Sequence, residues 1–237
     1  MAGVSRIVFT NMFSADRTTS PAAGDYQYSE RALREAGAPF TLLRNGLYTE
    51  RYTDHLSEYL EDGEIMGAAG NGRISAASRQ DYAAAAAAAI LQDERGNRTY
   101  ELGGPAFGLP QLARVICEVT GAKVTYRDLP AEEYAHELQR AGLDEATARF
   151  VAAVDASIAR GELETSSADL TSLLGRAATG LAEVVRAAHA CYRDPLHPGD
   201  LNKNVGGFAI SDPCPPAAAR KPDPQVLTIP PPRRRSG

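Results

Sequence analysis

No run of apolar residues in this chain approaches the roughly 18 that a membrane-spanning helix needs. The run Ala83–Ala89 is too short and too weakly apolar for that role. The first residues, Met1-Ala2-Gly3, lead straight into a short apolar stretch and lack the anatomy of a signal peptide. Cysteine is scarce. Cys117, Cys191 and Cys214 form an odd, widely spaced set without metal-ligand spacing, and a reducing cytoplasm is their expected home. The histidines His55, His136, His189 and His197 are scattered and give no metal or triad pattern. Positive charge is in deficit, and a net charge of −5 argues against nucleic acid or an anionic membrane as partner. The one basic cluster, Arg233-Arg234-Arg235, reads as a solvated tail, with a binding patch as the alternative. No internal repeat at solenoid spacing is visible.

What is present is enough for a core, since 43% of the residues are hydrophobic. Val4–Phe9 is a β-branched and apolar run of strand length. Tyr26–Ala36 carries helix formers and stops at Gly37, with Pro39 beyond. Phe40–Leu43 is a second apolar strand, and Tyr48–Leu60 has the pattern of an amphipathic helix. Strand, helix, strand, helix predicts a parallel sheet with crossover helices. Beyond residue 60, Gly70-Asn71-Gly72 between Ile65-Met66 and Ile74 predicts a hairpin turn. Ser78, with Asp81 at the third helical position, predicts the cap of the alanine-rich helix. Arg98–Leu102 and Lys123–Arg127 read as strands around a helix over Leu109–Val119, and Pro130 opens another helix. Further helices are expected near Asp144–Ala159, Ser167–Leu174 and Leu181–Ala190. From Cys191 the chain turns proline-rich, through Pro213, Pro215, Pro216, Pro222, Pro224 and Pro230-Pro231-Pro232. That composition predicts a disordered tail, with a docking segment as the alternative. The expected divisions are 1–60, 61–190 and 191–237.

In an open parallel sheet, ligands sit beyond the carboxyl ends of the strands. The residues following the predicted strands, Thr10-Asn11-Met12 and Arg44 through Glu50, are therefore the candidate site. Asn45 offers donor and acceptor, as a nicotinamide carboxamide requires. Gly46 lets backbone approach a flat ring, and Tyr48 supplies an aromatic face and a hydroxyl. The same residues also suit a plain Asn-Gly turn followed by a helix-start core residue.

Three linked stretches carry a resemblance. Phe40-Thr41-Leu42-Leu43-Arg44-Asn45-Gly46-Leu47-Tyr48-Thr49-Glu50 looks like the "TLLRNGxYxE" stretch of the NmrA-like NAD(P)H:quinone oxidoreductases, atypical short-chain dehydrogenases. Gly67–Ser75 and Ala77–Ala83 are similar to their "GAAGxGxIxxAxRxDYA", and Ile7–Asp16 to their "YTSxxxAD". The likeness runs from about Gly3 to His189.

It implies an α/β fold: a truncated Rossmann-like parallel sheet with a smaller C-terminal α/β portion, the proline-rich tail being disordered. It also implies hydride transfer from NADP(H), or NAD(H), to a quinone-like small molecule. On this likeness Thr10, Asn11, Asn45, Gly46, Leu47, Tyr48, Thr49, Glu50 and Arg79 form the cofactor side, Arg79 either reaching the site or anchoring its own helix. Asn11 stands where the family has serine, so a hydroxyl is lost. Tyr26 is followed by Glu30 and Arg31, so a Tyr-x-x-x-Lys pair is absent there, and Tyr26 and Tyr28 read as helix-face residues. Quinone reduction needs placement of the nicotinamide more than a committed acid.

A phosphate-gripping G-x-x-G-x-x-G turn between strand and helix is not found in the sequence. Gly103-Gly104 is followed by Pro105, which lacks an N–H, and Gly67-x-x-Gly70-x-Gly72 lies in the expected hairpin. The chain reads as starting at the fifth strand, with Val4–Phe9 left open-edged and one apolar face uncovered. These residues alone are expected to bind NADPH weakly or not at all. A non-catalytic, nucleotide-sensing relative and a ligand-free interaction module are the alternative readings.

Overall fold

The computed structural model describes residues 5–19, 23–92 and 96–193. Strand β1 (Ile7–Met12) leads to helix α1 (Ala23–Glu35), β2 (Phe40–Asn45), α2 (Glu50–Thr53), α3 (Leu56–Asp62) and β3 (Glu64–Gly67). Then come α4 (Arg79–Leu91), β4 (Arg98–Leu102), α5 (Leu109–Thr120) and β5 (Thr125–Asp128). Four helices close the described chain: α6 (Ala131–Arg140), α7 (Glu145–Ala159), α8 (Ala168–Leu174) and α9 (Leu181–Arg193).

Two parallel sheets result, one in the order β1-β2-β4 and one pairing β3 with β5. Phe40, Leu42 and Leu43 are fully buried in the central strand β2, a near-continuous apolar run of the kind that central parallel strands carry. Burying each contributes roughly 1.5–3 kcal/mol. Alternation sends Leu43 toward α4 and α8, where it packs with Tyr82, Ala85, Leu102, Leu170 and Leu173. The small Ala85 and Ala89 of the alanine run are buried there, while Ala83, Ala84 and Ala87 face solvent. The opposite alternation sends Arg44 toward α1. A larger core, containing Phe13, Tyr52, Ile65, Leu112, Ile116 and Ile158, underlies the second sheet. Among the described residues, no helix is long and apolar enough to cross a membrane.

Several boundaries were legible as caps. The Ser78 hydroxyl accepts the Asp81 N–H at 3.1 Å, and the Asp144 carboxylate accepts the Thr147 N–H at 3.0 Å. Asp81 does not complete a capping box: its carboxylate takes Arg176 and the Thr179 N–H, each at 2.8 Å, and anchors the stretch after α8.

Other expectations need correction. The first strand is Ile7–Met12, so Thr10 and Asn11 lie inside it rather than in a loop beyond it. Parallel pairing runs on to Met12 opposite Asn45, which keeps the strand straight past Phe9. The expected helix Tyr48–Leu60 is two short helices, parted where His55 takes φ −99°, ψ 12°, a break that lets both Tyr52 and Leu56 reach the core. Gly70–Gly72 is not a hairpin turn. The turn instead holds Gly70 at φ 54° with its N–H on Asp128, β3 pairs in parallel with β5, and Ile74 bridges to Phe107. The helix ending in Cys191, Tyr192 and Arg193 extends past the expected tail boundary, and the rest of that tail lies outside the described residues.

Candidate functional site

The carboxyl ends of β1 and β2 are locked side by side, with the Phe13 N–H donating to the Asn45 carbonyl at 2.8 Å. Beneath this edge sits Arg44, buried, which donates from Nε and Nη2 to the two oxygens of Glu30 in α1, each at 2.8 Å. Its Nη1 reaches Glu101 of β4 at 2.7 Å and Asp16, after β1, at 2.9 Å. One guanidinium thus joins three strands' worth of chain to a helix. Burial acts to raise the Glu30 pKa, but the hydrogen bonds from Arg44, Arg34 and Asn11 prevail and hold it below the usual carboxylate value.

Asn11 belongs to this network. Its Nδ2 donates to Glu30 at 2.7 Å and the residue is buried, so its amide is committed inward. Thr10, opposite Leu43, is exposed. Sequence spacing did not reveal Arg44's role, because its partners lie 14 and 57 residues away.

Asn45 through Glu50 and Arg79 do come together. The Gly46 N–H donates to the Leu102 carbonyl at 2.8 Å, and the Thr49 N–H to Ala77 at 2.9 Å. A Cβ at Gly46 would lie 2.6 Å from the Ser75 carbonyl and 2.9 Å from the Tyr82 hydroxyl. Glycine is therefore required here by the chain's own packing. The Asn45 Oδ1 is enclosed and without a hydrogen-bond partner. Leu47 is half-buried, and its carbonyl accepts the Ala77 N–H and the Tyr82 hydroxyl. Thr49 is buried.

Tyr48 stands at the surface, 39% exposed, edge-on to Tyr82 at 5.6 Å between ring centroids. The Arg79 guanidinium lies 5.6 Å above its ring, a cation–π distance, and Arg79 also pairs with Asp54 at 3.6 Å. Both carboxylate oxygens of Glu50 accept the Arg79 N–H, at 2.9 and 3.1 Å, so Glu50 holds the start of α4. Burial raises the Glu50 pKa despite those bonds. Arg79 thus starts its helix through its backbone N–H and lays its side chain over Tyr48. Tyr26 was missed as a neighbour: burial foremost, and then the nearby Tyr48, raise its pKa. Tyr28 is 70% exposed.

The loop after β1 is fixed from two directions. Ser14, at φ 52°, donates its N–H to Glu101 at 3.0 Å. Glu162, beyond α7, accepts the Thr18 hydroxyl at 3.0 Å and the Thr19 N–H at 3.1 Å. Burial pushes the Glu162 carboxyl up, but hydrogen bonds from Arg160, Thr19 and Thr18 bring it down to about 2.

No family model matches the chain. Quinone oxidoreductase 2 of Escherichia coli (strain K12) is 38% identical to it over 185 residues, 78% of this chain and 65% of that protein. The structure of the Escherichia coli NADPH-dependent quinone oxidoreductase QOR2 complexed with NADPH aligns at 38% identity with a TM-score of 0.76, covering 79% of this chain and 67% of that one. A second QOR2 structure gives the same identity and TM-score, with 69% of its chain covered. The chain belongs to the NmrA-like quinone oxidoreductase family. Citrobacter sp. triphenylmethane reductase complexed with NADP(H) aligns at 33% identity and a TM-score of 0.72, over 79% of this chain and 66% of its own. The chain spans just under two thirds of the length of the curated relative, 65%.

Proposed function

We propose that this chain supplies the nicotinamide-side wall of an NAD(P)H-dependent reductase acting on a quinone-like small molecule. The observation that carries this reading is the convergence of Asn45–Glu50 and Arg79 at the carboxyl edge of the sheet, with the Tyr48 ring exposed between them. The Escherichia coli NADPH-dependent quinone oxidoreductase QOR2, whose structure is complexed with NADPH, supports it. The unpartnered Asn45 amide oxygen fits the N–H of a carboxamide. Bound NAD(P)H supplies the hydride that, with a proton from solvent, converts a quinone to a hydroquinone. Tyr48 offers a flat face against which a planar ring stacks, and Arg79 fixes that face from above. Glu50 and Thr49 hold the backbone of the wall to α4 and to Ala77. Placement of the ring is the contribution asked of these residues, worth several orders of magnitude in effective concentration. A phosphate grip is not part of the reading, because Asn11 faces Glu30 and Gly103-Gly104 is filled by the chain's own Ser75, Ala76 and Thr165.

The test is reduction of a substituted naphthoquinone by NADPH, followed by loss of nicotinamide absorbance over the uncatalysed rate. The wild-type rate should rise with NADPH without saturating, and Tyr48→Ala should lower it about tenfold. A rate untouched by Tyr48→Ala would remove the wall from the reaction.

A further inference from the structure

We propose that the cavity between α2, α3, β3, α5, α6 and α7 is a binding site for a small organic cation, an ammonium group on an apolar body seated against Asp155 among Tyr52, Tyr59 and Tyr134. The cavity has a volume of about 70 Å³ and is lined by these residues together with the apolar Ile65, Leu109 and Leu138. Each enclosed water needs roughly 10–15 Å³ on that measure, so the space takes a short alkyl chain or one ring and excludes a dinucleotide. None of the candidate cofactor-side residues, Thr10, Asn11, Asn45–Glu50 or Arg79, lines it, so the site is independent of the proposed reaction.

Its chemistry points to a cation. Asp155 is 5% exposed, and its Oδ2 accepts one hydrogen bond, from the Ala68 N–H at 2.9 Å. A carboxylate so enclosed is costly unless a positive charge or donors meet it. The Tyr52 hydroxyl is enclosed in a residue only 6% exposed, with the Arg51 guanidinium as its charged neighbour and no acceptor for its own proton. Its oxygen is left to accept from an ammonium N–H. Aromatic residues on three of the surrounding elements supply the faces that attract a desolvated ammonium. The lining holds five carboxylates, Glu58, Asp62, Glu64, Glu137 and Asp155, against Arg51 and His55. Glu58 pairs with His55, Glu64 with Arg127 and Glu137 with Arg140. Asp62 is exposed and leaves the rim negative. Burial pushes the Asp155 carboxyl up to about 6, with the Ala68 N–H and Arg51 acting the other way, as expected of a carboxylate short of a cation.

The experiment titrates the purified chain near neutral pH with benzylamine and, as its uncharged shape-match, benzyl alcohol, by calorimetry and amide NMR. The same titrations are run on Asp155→Asn and Tyr52→Phe. Benzylamine should bind saturably and shift the Ala68 amide, with benzyl alcohol at least about tenfold weaker. Asp155→Asn keeps an acceptor for Ala68 and should cost about tenfold in benzylamine affinity, and Tyr52→Phe a smaller but measurable loss. Equal affinity for the alcohol, or no saturable binding at millimolar benzylamine, would overturn the proposal and leave a hydrated cavity. Should Asp155→Asn fail to fold, the amine-to-alcohol ratio and Tyr52→Phe decide the matter alone.

Discussion

Replacing Arg44 with methionine is the most searching perturbation of the edge that carries the candidate site. Methionine fills much of the same space but removes every donor that Glu30, Glu101 and Asp16 now share. The Arg44 and Glu30 side chains are 4% and 6% exposed, so water cannot replace those donors without opening the sheet from α1. Breaking one side of a buried ion pair costs about 3–5 kcal/mol, a large part of a domain's total stability. Arg44→Met should therefore lower the urea midpoint steeply, whereas Arg44→Met with Glu30→Gln should recover part of the loss, since no buried carboxylate is then left unpaired there and Asn11 keeps its acceptor. The pH dependence has a defined sign. In the wild type the folded Glu30 pKa lies below 4.5, so its stabilisation is present above that value and is lost as pH falls through the folded pKa. In Arg44→Met the chief force lowering it is gone and only Arg34 and Asn11 oppose burial, so its pKa rises relative to the wild type and the deficit should shrink as the medium is acidified. A loss under about 1 kcal/mol, or a double variant no better than the single one, would refute the reasoning.

Gly46→Ala should cost about 1–3 kcal/mol in urea denaturation, with or without nucleotide, because its Cβ meets the Ser75 carbonyl at 2.6 Å. An unchanged midpoint would show that the edge yields easily. Glu162→Gln should cost about 1 kcal/mol at neutral pH and raise hydrogen exchange at Thr18 and Thr19. The Glu162 carboxyl folds at about 2 against 4.5 free, so its contribution is present above 4.5, and the variant's deficit should vanish as pH falls toward 2. Asp155 runs the other way. Its carboxyl sits at about 6 when folded against 3.8, so stability falls as pH rises between those values, by about 3 kcal/mol at most. Asp155→Asn should flatten that slope, and a slope that persists in the variant would assign it to another group.

Helix ends were readable in the sequence because their causes are local. Ser78 accepts the Asp81 N–H three residues on, and Gly37 turns the chain at φ 70° two residues after α1. Phe40–Leu43 was readable because a strand buried on both faces favours a near-continuous apolar run, broken here by Thr41. The hairpin at Gly70–Gly72 was misread because a glycine-rich turn has the same composition whether its strands pair with each other or elsewhere. Here the partner of Glu64–Gly67 is Thr125–Asp128, some sixty residues on, and no local signal names it. The site was half legible. The Asn45–Glu50 stretch was found by resemblance, but the work of Asn11, Arg44 and Gly46 depends on Glu30, Glu101 and Tyr82, which approach only when the sheet closes. The cavity at Asp155 left no mark in the sequence, since its walls come from six separate elements.

The decisive measurement compares NADPH with reduced nicotinamide mononucleotide, which lacks the adenosine half, by amide NMR of the purified chain. The proposed wall predicts that both ligands shift the resonances of Asn45–Glu50 and Arg79, to similar extents at equal concentration and with weak affinity. Tight binding of NADPH alone would reveal a phosphate site within these residues, and silence of Asn45–Glu50 with both ligands would contradict the wall itself.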